Sequence, residues 1–316
     1  MVPQAKTPTL AEKRKEWLEV LSGEDRHSII SQITRMTWDD AAFRVVNEAR
    51  RLAPRDPDGG RQLNGLMHSL LDRAFFASHL AAIRRLTDDR YPLNGKKGVY
   101  SLPALLEDMR KHRELLTREA IFAAENLAYD FKPIQQRFDE YASKQKGAFD
   151  IPDDLCWFKH ENRHEQIDRL ANVQAQDRQS GDTVREKVLL DLQQKIEKAS
   201  EEVVCHVNKF IAHAATPESR ALVGADETGL TLNHLWRAHQ HLCEVASFLA
   251  IYVLGDSFPG PLPIPQYDQF KYIERPLIAA SQVDKLADLW RQIEKEADGW
   301  SAWDLDQYAK EFEKAS

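Results

Sequence analysis

The feature that most constrains the fold is a seven-residue repeat of mainly apolar positions between residues 189 and 213. In a helix this spacing places two rows of side chains on one face, which is the face that contacts neighbouring helices in a bundle. Histidines occupy the last two positions of one row, and an imidazole that faces a bundle interior needs a hydrogen-bond partner or a chemical role. The rows are Leu189, Ile196, Val203 and Phe210, and Leu192, Ala199, His206 and His213.

The rest of the chain follows the same helical pattern between breaks rich in Gly, Pro and Asp, and strand-like alternation is almost absent. We therefore predict an all-α fold, a bundle of long helices. Ser101 and Thr231 are expected N-caps, and Gly255 is expected to end the last bundle helix. The predicted helices span about residues 9–21, 26–52, 61–87, 101–126, 133–144, 155–176, 180–217 and 231–254.

The pattern also divides the chain into three parts. Residues 1–255 are predicted to form the helical bundle, including an N-terminal helix, and residues 256–266 a linker. Prolines at every second position from 259 to 265 favour an extended, partly stiff linker. Residues 267–316 are predicted to be a C-terminal helical extension that packs on the bundle or reaches a partner. This extension carries Trp290, Trp300 and Trp303.

Composition limits the function classes. The net charge of −7 argues against a protein that coats nucleic acid through its bulk charge, although a local basic patch stays open. Cys156, Cys205 and Cys243 form no disulfide or metal motif, which is typical of reduced thiols in a cytoplasmic protein. No secretory signal and no uncharged apolar run of membrane-spanning length is visible, so we predict no membrane association.

Two short segments carry a resemblance to a known family. Residues 208–214, Asn-Lys-Phe-Ile-Ala-His-Ala, resemble the catalytic-helix signature of the HEPN superfamily and are most similar to its abortive-infection branch of bacterial helical proteins. The sequences LDRAFF at 71–76 and IRRL at 83–86 resemble the early bundle helix of those proteins. The likeness covers residues 26–254 in helix order. It implies an HEPN-like bundle, usually a homodimer, that is associated with RNA and with anti-phage or toxin systems.

Active HEPN proteins are metal-independent endoribonucleases whose motif contains an arginine, a polar residue, a spacer and a histidine. The resemblance implies that His213 moves the proton when a ribose 2′-hydroxyl attacks the adjacent phosphate, and that Asn208 is the polar residue. The arginine would hold the phosphate. The positions that the motif allows for it are occupied by His206, Val207 and Asn208, and the closest relatives would carry it at Val207.

Two neighbouring residues can support catalysis without the arginine, Lys209 as a weaker substitute for it and His206 as a second acid or base. Lys209 lies four residues before His213 and therefore on the same helix face, although its ammonium is a point charge and lacks the guanidinium fork. His206 lies one heptad before His213 and can share the acid and base roles. The predicted catalytic residues are thus His213, Asn208, Lys209 and His206.

We therefore expect a cytoplasmic protein of the abortive-infection kind that acts on or binds RNA without a metal or a cofactor. Its site would lie at a dimer interface that contains Asn208, Lys209 and His213. The alternative is a non-catalytic helical binding or scaffold module, which holds a protein or nucleotide partner through the HEPN-like surface or the C-terminal helices. Val207 in place of the arginine favours this alternative.

Two further histidine groups are weaker candidates. The run from His160 to His164 matches the H-E-x-x-H zinc pattern by letter, but its charged flanks predict a solvent-exposed helix face and a chance match. His239 lies on the apolar face of its helix, whereas His234 and His241 lie off it, so we expect a hydrogen-bonded core histidine at 239.

A basic loop is the last candidate. Lys96 and Lys97 lie between two glycines, and together with nearby arginines they could contact a phosphate backbone. Exposed lysines in a loop need no function, so this pattern is weak evidence on its own. The nearby arginines are Arg73, Arg84, Arg85 and Arg90.

Overall fold

The computed structural model describes residues 8–55, 57–58, 64–145, 147, 150–211, 216, 218, 230–258, 260–262, 264–275 and 280–300. Within these ranges the regular elements are helices and no strand occurs, which confirms the predicted all-α class. The chain divides into two compact units, Met1–Pro263 and Ile264–Ser316, and each is described by itself.

The helices follow one another along the chain with short connections. The first unit contains α1 (Leu10–Ser22), α2 (Ile29–Leu52), α3 (Gly65–Leu86), α4 (Leu102–Lys111), α5 (Arg118–Ala124), α6 (Lys132–Ser143), α7 (Trp157–Ala171), α8 (Glu186–His206) and α9 (Leu232–Phe248), and the second contains α10 (Val283–Trp300). Helices α8 and α9 each continue into a π-helical turn, at Val207–Ile211 and Leu249–Val253.

Helix α8 is central to the bundle because α3, α4 and α9 all pack against it. The first row of its seven-residue repeat is buried as predicted, with Leu189, Ile196 and Val203 at 1%, 1% and 0% exposure. Helix α9 packs against α2 and α3 as well. The core therefore runs along the α8–α9 pair, and the other helices surround it.

The buried face of α8 continues into the π turn that follows it. The sequence predicts Phe210 as the next buried position after Val203, but Phe210 is half-buried and Val207 is 3% exposed. Val207 lies one helical turn after Val203 and so on the same helix face. A π turn contains more residues than an α turn, so Phe210 within it is rotated away from that face.

Several helix starts follow local capping chemistry. Thr9 forms a capping box with Glu12, and Ser101 accepts a hydrogen bond from the backbone N–H of Ala104, as its predicted N-cap role requires. Thr231 is the N-cap of α9. Gly255 adopts φ +59 immediately after the last bundle helix, a conformation that ends a helix and favours glycine.

The predicted single helix over residues 101–126 is wrong. Helix α4 ends at Lys111, a short 3₁₀ turn follows at Arg113–Leu115, and α5 begins after Thr117. Thr117 accepts a hydrogen bond from the N–H of Ala120 and so starts a new helix. The adjacent Arg118 binds acidic residues far along the chain, which fixes the new helix direction.

The second unit contains one amphipathic helix among its described residues. Helix α10 places apolar residues at positions spaced three and four apart, and their side chains are about half exposed. No described helix in either unit combines the length and apolar character that crossing a bilayer requires. The half-exposed residues are Val283, Leu286, Leu289, Trp290 and Ile293.

Candidate functional site

The π turn after α8 contacts the last turns of α3 through two polar side chains. The Nε of Arg84 donates a hydrogen bond to Oδ1 of Asn208 at 3.3 Å. The side chain of Arg84 is only 14% exposed, and its Nη1 lies 3.5 Å from the carboxylate of Asp88. A guanidinium from another helix is thus fixed against the polar residue of the predicted site.

Asp88 is shared between two arginines. Its carboxylate lies 2.8 Å from Nη2 of Arg90 and 3.5 Å from Nη1 of Arg84. Burial raises the pKa of Asp88, but the hydrogen bonds from Arg90 and the charge of Arg84 outweigh it and hold the pKa below its ordinary value. Asp88 is therefore a carboxylate at neutral pH, and it orients both guanidinium groups.

The burial of Val207 disfavours an arginine at that position. Val207 is 3% exposed and lies in the apolar core, where an unpaired guanidinium would lose its hydration without compensation. Asn208, the next residue, is half-buried and faces Arg84. The guanidinium that contacts Asn208 comes from α3, which sequence spacing within α8 cannot reveal.

The other predicted residues have different surroundings. His206 stacks on Phe210 with ring centroids 4.8 Å apart, and its Nδ1 is buried without a hydrogen-bond partner among the described residues. Burial lowers the pKa of His206, so its imidazole is neutral at pH 7. Lys209 is half-buried in the π turn. His213 lies outside the described residues.

A groove runs beside the Arg84–Asn208 contact, between α3, α4 and α8. Its volume is about 740 Å³, which is within the range of small-molecule sites. Arg84, Thr87 and Arg90 line the groove from the α3 side, while residues of α8 and its π turn line the other side. Those residues include Gln194, Glu197, Lys198, Glu201, Cys205 and Asn208.

The H-E-x-x-H run is structural, and its predicted solvent exposure is wrong for both histidines. His160 and His164 are 5% and 4% exposed. His160 accepts a hydrogen bond at Nδ1 from the N–H of Ala128. His164 donates from Nε2 to the carbonyl of Tyr129 at 2.8 Å and accepts at Nδ1 from Arg118. Both nitrogens of His164 are therefore occupied, and the described residues contain no cluster of three His, Cys, Asp or Glu that could hold a metal.

Arg118 is a structural anchor that the sequence did not indicate. Its side chain is 0% exposed, and Nη2 lies 2.8 Å from carboxylate oxygens of both Asp168 and Asp182. Burial raises the pKa of Asp168, but the hydrogen bonds from Arg178 and Arg118 lower it by more. The pKa of Asp168 is therefore below its ordinary value. This network joins α5 to α7 and to the segment that leads into α8.

A second buried pair of histidines lies where α2, α3 and α9 meet. His239 is 7% exposed and its Nε2 lies 3.0 Å from the hydroxyl of Thr37, which confirms the predicted hydrogen-bonded core histidine. His79, 1% exposed, lies 6.1 Å from His239 between ring centroids. Neither ring nitrogen of His79 has a well-formed hydrogen bond among the described residues. Burial is the main cause that lowers the pKa of both imidazoles.

The predicted basic loop is partly engaged elsewhere. Lys96 and Lys97 are exposed, as expected. Arg85 donates to the side chain of Gln32, and Arg90 binds Asp88. Of the nearby arginines, Arg84 is the one that reaches the predicted site.

No protein-family model matches this chain, and no curated protein and no solved structure gives a significant match. The resemblance to HEPN proteins therefore rests on the two sequence segments alone.

Proposed function

We propose that this chain is an HEPN-like protein of the abortive-infection kind that binds RNA and cleaves it without a metal. The observation that carries the proposal is the hydrogen bond between Arg84 and Asn208. It supplies a guanidinium beside the predicted motif, whose own arginine position is filled by Val207. The π turn that holds Asn208 and Lys209 is a further support, because such turns are frequent at functional sites.

The proposed chemistry divides the roles among four side chains. His213 accepts the proton of a ribose 2′-hydroxyl as that oxygen attacks the adjacent phosphorus. The bond from phosphorus to the 5′-oxygen of the next nucleotide breaks, and that oxygen takes a proton from solvent water. Arg84 and Lys209 stabilise the charge that builds on the phosphate oxygens. Asn208 is a positioning residue, because its carbonyl oxygen accepts from Nε of Arg84 and so fixes the direction of the guanidinium.

We further propose that the protein acts as a homodimer, with the exposed face of α3 as the contact surface. Leu66 and Leu70 are 56% and 51% exposed, and Ala74 and Ala77 continue the same helix face towards Arg84. This face lies opposite the buried residues Phe75 and Ile83. An uncharged helix face packs favourably against another uncharged face. The α3 helix of a second copy of this chain presents an identical face.

RNA binding tests the proposal. The affinity of a labelled single-stranded RNA is measured by fluorescence anisotropy for the wild type, Arg84→Gln and Arg110→Gln. Arg110 is a matched control, because it is a partly exposed arginine paired with Glu107 on α4. We expect Arg84→Gln to bind about tenfold more weakly, as for the loss of one charge-assisted contact. Equal affinities for all three proteins, or no binding by the wild type, would contradict the proposal.

The alternative function is a binding module that holds a protein partner through the second unit. The specific observation in its favour is the apolar face of α10, where Leu286 and Trp290 are both 53% exposed. Large exposed apolar surfaces commonly mark interaction sites. This function predicts partner binding that is lost when residues 264–316 are removed, and no effect of Arg84→Gln on that binding.

A further inference from the structure

The groove beside the Arg84–Asn208 contact has walls of different chemistry. The α3 side presents the guanidinium groups of Arg84 and Arg90, which share the carboxylate of Asp88. The α8 side presents Glu197 and Glu201, which are one helical turn apart and both exposed. Asp89 also lies on the first side and Lys198 on the second, so a ligand that spans this groove meets a wall of net positive charge and a wall of net negative charge.

The charge balance of the groove decides between ligand classes. The described lining contains three cationic side chains and three carboxylates, the latter from Asp89, Glu197 and Glu201. A track for a long phosphate backbone needs an excess of positive charge along its length. A balanced groove suits a ligand with one anionic group and several hydrogen-bond donors.

A ribonucleotide has this distribution of groups. Its phosphate can take a bidentate contact from a guanidinium, and its 2′- and 3′-hydroxyls can donate to a carboxylate. Base edges offer donors and acceptors that match the side-chain amides of Gln194 and Asn208, which also line the groove. Its volume of about 740 Å³ accommodates a ligand of this size.

We infer that this groove binds one ribonucleoside monophosphate unit, with the phosphate at Arg84 and Arg90 and the ribose 2′-hydroxyl at Glu197 and Glu201. The inference rests on the proposed function, because the bound unit is one nucleotide of the RNA. It adds a feature that RNA binding alone does not require, namely selection for ribose over deoxyribose by the carboxylate wall. Arg90, Glu197 and Glu201 are assigned as binding residues.

Cys205 provides a direct probe of the groove. Its thiol is half-buried in the lining, so a ligand in the groove should shield it from a thiol reagent. The other two cysteines, Cys156 and Cys243, are replaced by serine, so that only the thiol of Cys205 reacts with the reagent. The modification rate is measured with each of the four ribonucleoside 5′-monophosphates, with their 2′-deoxy counterparts, with adenosine and with inorganic phosphate.

We expect at least one ribonucleoside monophosphate to slow the modification of Cys205 about tenfold when its concentration is about ten times its Kd. The 2′-deoxy counterpart, adenosine and phosphate alone should protect less at the same concentration. Arg90→Gln should weaken protection about tenfold, and Glu201→Gln should abolish the preference for ribose. Arg110→Gln, outside the groove, should leave protection unchanged.

Unchanged modification rates with every monophosphate at millimolar concentration would overturn the inference. Calorimetric titration of the unmodified wild type with the same compounds provides a second reading if a variant fails to fold. The two proposals fail separately. RNA cleavage without protection of Cys205 would reject the groove and retain the function, whereas protection without RNA binding would retain a mononucleotide site and reject the function.

Discussion

Arg84 and Asn208 are 124 positions apart in the sequence, yet Nε of one donates to Oδ1 of the other at 3.3 Å. The contact exists because the end of α3 packs against the π turn that follows α8. Val207, the position at which the resembling proteins would carry an arginine, is the first residue of that turn and is buried. In the proposed function, Arg84 of a neighbouring helix therefore supplies the guanidinium that those proteins carry within one helix.

The burial of Val207 predicts that restoring an arginine there damages the fold. Val207→Arg should lower the free energy of unfolding by about 3 kcal/mol or more, because it places an unpaired charge in the core. Urea unfolding followed by circular dichroism measures the change. Leu190→Arg is the control, since Leu190 is 43% exposed on the same helix and should tolerate the charge. A stable Val207→Arg protein with increased RNA affinity would show that Arg84 does not serve as the replacement.

The buried Arg118 network predicts a large loss of stability when its cation is removed. Arg118→Ala leaves the carboxylates of Asp168 and Asp182 without their shared partner and should cost about 3–5 kcal/mol. Arg137→Ala removes an exposed pair with Asp154 and should cost less than about 1 kcal/mol. Both are measured by urea unfolding at neutral pH. Equal effects of the two substitutions would mean that the network contributes no more than a surface pair.

The buried histidines predict a loss of stability in mild acid. Burial lowers the pKa of His79 and His239 below the ordinary value of 6.5, and the charge of Asp40 only partly opposes this. The unfolded chain therefore binds more protons than the folded chain below about pH 6.5, so stability is complete above that pH and decreases as the pH falls. Each such group contributes a slope of up to about 1.4 kcal/mol per pH unit.

His79→Phe tests this dependence. The substitution removes a buried imidazole without a well-formed hydrogen bond, so stability at pH 7.5 should be unchanged or higher, and the decrease between pH 7 and 5 should be smaller. His27→Gln alters an exposed histidine and should leave the pH dependence as in the wild type. A His79→Phe protein with the full wild-type decrease would assign the acid sensitivity to other groups, among which His160, His164 and His206 also have lowered pKa values.

The exposed face of α3 predicts the effect of charge on self-association. If the protein is a dimer through this face, Leu66→Glu combined with Leu70→Glu should convert it to a monomer, because like charges would meet across the contact. Light scattering coupled to size exclusion measures the mass. Leu190→Glu, at a comparably exposed leucine elsewhere, should retain the dimer. A dimer that survives the double substitution would place the interface on another surface.

The parts of this molecule that sequence reasoning recovered are those set by local periodicity. The burial of Leu189, Ile196 and Val203 follows from a repeat of seven, and the cap at Ser101 follows from its own hydroxyl. The features that it missed depend on distant partners. Arg118 resembles any polar residue in a first helical turn until Asp168 and Asp182 come into contact with it.

Two further misses have specific physical causes. Charged neighbours in sequence suggested that His160 and His164 face solvent, but both lie on the inner side of α7 and bond to the backbone before α6. The π turn has no sequence signature of its own, so the half-buried position of Phe210 could not be derived from the heptad. The contact of Arg84 with Asn208 follows from that turn and was equally hidden.

The most direct test of the proposed function is cleavage of labelled RNA in EDTA by the wild type and by His213→Ala. The account predicts cleavage by the wild type, loss of cleavage in His213→Ala, and reduced cleavage in Arg84→Gln, while Arg110→Gln cleaves as the wild type does. Products should carry 2′,3′-cyclic phosphate ends, because the 2′-hydroxyl is the attacking group. Full cleavage by His213→Ala, or cleavage that EDTA abolishes, would contradict the account.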